Sequence, residues 1–260
     1  MAATNRIYPT PYGIARGLVE KHTALHKFGQ AMVGTSYTPV AYGNNWQTPQ
    51  AAGAVPLRVA AGGDAADTNG GAGAWSVIIV GVDANGVSMF DTLTLAGAAA
   101  SDYSTVAFMR VVRVYVYESG TYATATASSH ADEIVIEDAD SNEWARLRHD
   151  TLGFGQSLIG VYTVPKGYTL YVNKLEVSTD ANKPVDFLWI QRQEILRAAA
   201  PYTAMRLVEP FIGVSDALTA EYEPPRKFPE LTDIGFMARA QAQTAEVSAR
   251  MNGFLVETVE

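Results

Sequence analysis

Residues 156–180 read QSLIGVYTVPKGYTLYVNKLEVSTD, two β-rich runs on either side of a short connector, Val164-Pro165-Lys166-Gly167. Pro165 suits the second position of a type I turn, where its fixed φ is already correct, and Gly167 suits the positive φ of a bulged three-residue hairpin loop. Val, Tyr, Thr and Leu occupy both faces of the flanking runs, as in a strand covered on each side within a sandwich or at an interface. The segment predicts a hairpin that belongs to the architecture of a β protein and carries no chemistry of its own.

The chain divides into three zones. Residues 1–50 hold Pro9, Pro11, Pro39 and Pro49 among many aromatic residues. Only 14–28 has a loose helical register, through Leu18, Leu25 and Phe28, and Gly13 and Gly17 weaken it. This zone reads as an extended N-terminal arm with at most one short helix. Its rings Tyr8, Tyr12, Phe28, Tyr37, Tyr42 and Trp46 have to be buried on the chain's own domain or on another subunit, and they are the candidate subunit-interface residues. Residues 51–150 read as a first β-sandwich module. A strong strand at 75–82 ends at Asp83-Ala84-Asn85-Gly86, a tight-turn signal, and 108–117 is β-branched or aromatic at nearly every position. Arg110 and Arg113, on opposite faces of that strand, suggest an edge or a solvent-lined groove. Residues 151–260 read as a second, jelly-roll-like sandwich, with a strand about every ten to fifteen residues. Within it, Glu223-Pro224-Pro225-Arg226-Lys227-Phe228-Pro229 reads as a stiff connector, because proline cannot donate to a sheet ladder. The fold class is all-β, two sandwich modules in series.

Charged residues make up 18% of the chain, below the roughly 25% of an average domain, which fits a β protein much of whose surface is covered by neighbours. The formal net charge is −8. The densest basic groups, Arg146/Arg148 and Arg226/Lys227, are too small to displace many phosphate counterions, so nucleic acid is not an expected partner. The lack of cysteine removes disulfides, thiolate catalysis and thiolate metal ligands. The most apolar run, 75–82, has strand length rather than membrane-spanning length, and the N-terminus has no signal-peptide pattern. The expectation is a soluble protein made in the cytosol, with no membrane partner.

Candidate chemistry is sparse. His22 and His26 have the i, i+4 spacing that holds zinc on a helix, with Glu20 the nearest third ligand; a solvated helix face is the simpler reading. Asp138-Ala139-Asp140-Ser141-Asn142 opens like a calcium loop, but Glu143 and His149 stand where Gly and Glu are needed, so a polar turn fits better. The loop with Asp64, Asp67 and Asn69 has scattered acids of the same kind. Ser157 is not set in a nucleophile elbow, the glycines of 70–73 lack the Lys-Ser/Thr of a phosphate loop, and no spacing singles out a carboxylate pair. No catalytic residue, metal or cofactor is assigned, and a non-enzymatic protein is expected.

Four stretches carry a resemblance: 163–167 (TVPKG) with 169–180, 187–192 (FLWIQR), 224–230 (PPRKFPE), and upstream 77–86 (VIIVGVDANG) with 64–73, 92–97 and 108–116. Together they resemble virion structural proteins of tailed bacteriophages. The resemblance implies a capsid decoration, neck or head–tail connector subunit, present in the virion and assembled in the host cytoplasm. Such a subunit works as a homo-oligomer, a trimer or a ring, in contact with the major capsid protein or portal and neck proteins. The alternative is a carbohydrate-binding β-sandwich of a tail or receptor-binding apparatus, with Trp46, Trp144 or Trp189 as stacking platforms.

Overall fold

Val164 and Tyr168, on either side of the connector, lie in different sheets. Strand Val161–Val164 pairs with Thr232–Ala240, whereas Tyr168–Thr179 pairs with Ala217–Phe228 and Ala245–Glu257. The expected hairpin is instead an arch between two layers. A run of 4 residues leaves most of the backbone ladder of a 12-residue run unsatisfied, and the long strands at 217–228 and 245–257 satisfy it. The turn differs too. Tyr168 N–H donates to the Pro165 carbonyl at 3.2 Å and Gly167 has φ +81°, so Pro165 takes the first position and Gly167 the third, as a type II turn requires.

The computed structural model describes residues 11–43, 45–46, 53–150, 153–180, 182–197 and 199–258. Among them, helix α1 (Pro11–Ala15) precedes strands β1 (His22–Val33) and β2 (Thr38–Pro39). A middle stretch holds β3 (Val55–Pro56), β4 (Arg58–Val59), β5 (Ala74–Val82), β6 (Ser88–Thr94), β7 (Ala107–Phe108), β8 (Arg110–Ser119), a short helix α2 (Tyr122–Ala125), β9 (Ile134–Glu137), β10 (Glu143–His149) and β11 (Gly153–Ser157). The last stretch holds β12 (Val161–Val164), β13 (Tyr168–Thr179), β14 (Val185–Arg192), β15 (Arg206–Val214), β16 (Ala217–Phe228), β17 (Thr232–Ala240) and β18 (Ala245–Glu257).

The expected helix over 14–28 is α1 alone. Gly17 ends it with φ +68°, its N–H bonded to the Ile14 carbonyl and that of Leu18 to the Gly13 carbonyl, a glycine C-cap. From His22 the chain is a strand that pairs with β18 along all 12 of its residues. Lys27, Gly29, Ala31 and Val33 point inward, so the residues expected as an arm supply a full-length outer strand of the sandwich.

Two sheets, β1-β18-β13-β16 and β12-β17-β14-β15, enclose a core that includes Trp189, Phe187, Phe236, Leu170 and Val172. Numbering only these strands from β1 and β12 onward, the sheets read 1-8-3-6 and 2-7-4-5, the order of a jelly roll. Everything from β3 to β11 is an insertion between its first and second strands. The insertion leaves and returns through one ribbon: Ala41 bridges Ile159, Gly160 N–H donates to the Val40 carbonyl at 2.7 Å, and Tyr42 N–H to the Leu158 carbonyl at 3.1 Å. The division at 50 and 150 is thereby corrected, since β1 and β2 belong to the C-terminal sandwich and β11 to the inserted unit.

The inserted unit is one seven-stranded sheet, β4-β9-β10-β11-β8-β5-β6, in which, among the described residues, β11 pairs with β8 only at Gln156 and Tyr115. Residues 101–104, which follow the β6 edge, bond along the opposite edge at β4. Leu57 N–H donates to Ser104 Oγ and Val59 N–H to Ser101 Oγ, each at 2.9 Å, and the Ser104 and Ser101 amides return bonds to the Leu57 and Val59 carbonyls. Both ends of the sheet therefore close on one core of Val59, Ile79, Leu93, Val114, Ile136 and Leu147.

Gly29 marks the tightest approach of β1 to the ribbon. A Cβ there would lie 2.1 Å from Gly160 N and 2.3 Å from the Val40 carbonyl oxygen, both backbone atoms. Gly29→Ala is expected to lower the unfolding free energy by about 3 kcal/mol, the upper part of the overpacking range. Urea unfolding of the variant checks it, and a loss within error of zero would refute the close contact.

Candidate functional site

The inserted unit is fastened to the jelly roll by three cations. Arg110 on β8 is fully buried, and its Nε and Nη2 both donate to Asp233 Oδ2 on β17 at 3.2 Å, while Nη1 donates to the Met109 carbonyl. Thr163 Oγ1 donates to the other carboxylate oxygen at 2.7 Å. Burial pushes the Asp233 carboxyl up, and Arg110, Thr163 and the nearby Arg192 act against it. Lys27 on β1 donates through Nζ to the Val112 carbonyl of β8. Arg148 on β10 reaches Glu246 Oε1 of β18 at 2.7 Å and Gln30 Oε1 of β1 at 3.1 Å. The two marked turns also meet here, as Lys166 N–H donates to the Gly86 carbonyl at 2.8 Å. Arg110 is thus neither at an edge nor in a groove; the interior carboxylate of Asp233 makes its burial tolerable.

The candidate interface rings are dispersed. Trp46 is buried in the inserted unit's core, with the Arg110 guanidinium 5.9 Å from its ring. The Tyr42 hydroxyl donates to Glu133, and Arg148 stacks 5.5 Å from its ring; burial and then Glu133 push the phenol up to about 12. Tyr37 lies under Arg239 at 4.7 Å. These three rings are committed to the chain itself, because the linker that carries them runs between the two units. Phe28 is half-buried beside His26, and Tyr12 is 71% exposed, so these two keep free ring surface. Tyr8 lies outside the described residues.

The tryptophans proposed as sugar platforms are interior. Trp189 packs between Tyr222 and Phe228, Trp144 donates through Nε1 to Asp138 Oδ2 at 3.1 Å, and Trp46 is placed as above. His22 and His26 sit on a strand, about 13 Å apart along it at roughly 3.3 Å per residue, which overturns the zinc spacing. Asp138 accepts from the backbone amides of Asp140 and Asn142 and from the side chains of Asn142 and Trp144. Burial opposes these donors, yet they hold its carboxyl below the usual range, so the polar turn stands. Asp67 is likewise filled by the amides of Ala74, Ala131 and Asp132. Among the described residues no group of three or more His, Cys, Asp or Glu is arranged to hold a metal ion. Arg146 and Arg148 are neutralised by Glu133, Glu143, Asp150 and Glu246.

One side of the jelly roll is open among the described residues. There β15 pairs only with β14 and β16 only with β13, and these two edges are consecutive in the chain, joined by Ser215 and Asp216. Leu207 and Ile212 on β15 are 53% and 63% exposed. The run expected as a stiff connector lies inside β16. Residues 222–225 drop out of register between Glu221 and Arg226, as prolines require, and pairing then resumes. Leu207, Ile212 and Lys27 were not singled out from the sequence. Pro210 within β15 is the signal that marks that strand as an edge.

Compared with known proteins, the chain matches no family model, no curated protein and no solved structure.

Proposed function

We propose that this protein is a non-enzymatic structural subunit of a tailed-bacteriophage virion, a homo-oligomeric accessory component of the head or neck that works through subunit contacts. The observation that carries the reading is the open β15–β16 side of the jelly roll with its exposed Leu207 and Ile212. Unpaired edge strands are templates for another chain, and apolar side chains beside them add area that favours burial. Jelly rolls serve both viral capsid and lectin domains, so fold alone does not choose between the two. Burial of Trp46, Trp144 and Trp189 weighs against sugar stacking, and the motifs at 163–167, 187–192 and 224–230 favour the virion. Further copies of the chain are the first partner, and the major capsid protein or portal and neck proteins are the second.

Native mass measurement tests the oligomer. A trimer or ring is expected, and Leu207→Asp with Ile212→Asp is expected to give monomer with an unchanged circular dichroism spectrum. A monomeric wild-type protein would overturn the assembly reading. Antibody labelling of purified particles tests the virion, and particles without label would remove that assignment.

A further inference from the structure

A pocket of about 280 Å³ opens beside the seam, lined by His26, Lys27 and Phe28 of β1, Arg113 of β8, and Gln156 and Ser157 of β11. Two cations from the two folding units meet in it, and among the described residues its lining contains no carboxylate. Neither Lys27 nor Arg113 takes part in an ion pair among the described residues. In a chain of net charge −8 this is a local inversion of sign, and like charges drawn together in a partly dry site are costly.

The donors are also underused. The Lys27 ammonium gives one of its three N–H groups to the Val112 carbonyl. Arg113 Nη2 donates to Gln156 Oε1 at 2.8 Å, and its guanidinium lies 5.0 Å from the Tyr115 ring, which fixes the plane of the fork. Ser157 Oγ accepts from Val114 N–H at 2.9 Å, which leaves its own O–H to donate. Lys27, Arg113 and Ser157, each with donors to spare, line one cavity.

We propose that this pocket binds an oxyanion, a phosphate or carboxylate group held between the Lys27 ammonium and the Arg113 guanidinium, with Ser157 as a further donor. The bound charge offsets the repulsion between the two cations. Burial, and then Arg113, push Lys27 down to about 7, so binding an anion above that pH draws a proton from solution onto the Lys27 amine. Of the charged and titratable groups that line the pocket with Lys27, Arg113 comes from β8 and acts on it directly, and His26 comes from the exposed face of its own strand; β11 presents the neutral Gln156 and Ser157, and Met251 lies opposite it on β18. The site needs no second subunit, so oxyanion binding by a monomer leaves it standing whatever the oligomer measurement returns.

Calorimetric titration of the full chain with sodium sulfate and with sodium acetate tests the site, since both probes keep a constant charge between pH 6.5 and pH 9. Binding is expected to be about tenfold or more tighter at pH 6.5 than at pH 9, with proton uptake at the higher pH. Arg113→Gln and Lys27→Met are each expected to weaken it by about tenfold or more, the loss of one charged hydrogen-bond donor. Preference for sulfate identifies a phosphate-like ligand, and preference for acetate identifies a carboxylate; either outcome supports the site. Absence of binding by both probes, or affinity unchanged in the folded Arg113→Gln variant, overturns it.

Discussion

Asp233→Ala is expected to destabilise the chain by about 3–5 kcal/mol, the cost of leaving one member of a buried ion pair without its partner. Arg110 has no exposed surface and Asp233 about 2%, so water cannot replace the lost carboxylate without opening the seam. The loss is compounded by Arg192, whose Nε is buried without an acceptor among the described residues and which shares the field of Asp233 with Arg110. Removing the acid leaves two guanidinium groups whose charges repel without the carboxylate between them. Thr163→Val removes only the hydroxyl donor to Oδ1 and is expected to cost about 1–2 kcal/mol. Replacing the pair together, Arg110→Met with Asp233→Leu, is expected to recover most of the loss, because a buried pair contributes little beyond an apolar substitute. Urea unfolding of the three variants supplies the comparison. If Asp233→Ala costs less than Thr163→Val, the ion pair does not hold the two units together.

Local signals in the sequence carried through where chemistry decides backbone geometry over a few residues. The turn at 83–86 is such a case: Asp83 accepts from the Asn85 and Val87 amides, and the Gly86 amide bonds back to the Asp83 carbonyl. The all-β class and the jelly-roll-like second sandwich were legible for the same reason, as alternating and β-branched runs between turns. Layer assignment was not. Pro165 and Gly167 specify a reversal of the chain, but a hairpin and an arch need the same residues there. The partner lengths decide between them, and those lie in strands about 50 to 90 residues downstream. β1 escaped because Lys27 and Gly29 occupy inward positions, which hides the period of two that Ala31 and Val33 continue.

The seam was illegible because its partners are remote. Arg110 and Asp233 are 123 residues apart, and an arginine inside a β-rich run suggests exposure until its acid is known. Of the aromatic residues at 37–46, Trp46 is buried and Tyr37 and Tyr42 are half-buried, with the chain's own Arg239, Arg148 and Arg110 against the rings of Tyr37, Tyr42 and Trp46. The open edge was partly written in the sequence through Pro210 and the Pro224-Pro225 pair. Which side of the sandwich they would border depends on the order 1-8-3-6 and 2-7-4-5, and no single segment encodes that.

Lys27→Met is expected to reverse its effect on stability across pH. In the folded chain burial, and then Arg113, bring the ammonium from 10.5 to about 7. Between those two values the unfolded chain holds a proton that the folded chain has released, so wild-type stability rises with pH through the window from about 7 to 10.5. At about 1.4 kcal/mol for each pH unit, the full rise is on the order of 4–5 kcal/mol. Methionine removes this dependence but leaves the Val112 carbonyl without its donor, at a cost of about 1–3 kcal/mol. The variant is therefore expected to be more stable than wild type by about 2 kcal/mol at pH 6, and equal or less stable at pH 9.5. Above pH 10 the Tyr42 phenol, raised to about 12, keeps its proton in the folded chain after the unfolded chain has lost it, and the rise turns over. Urea midpoints at pH 6, 8 and 9.5 decide the matter. Parallel pH profiles for wild type and variant would mean that Lys27 keeps an ordinary, charged ammonium at the seam, and the energetic case for a bound anion beside it would go with that result.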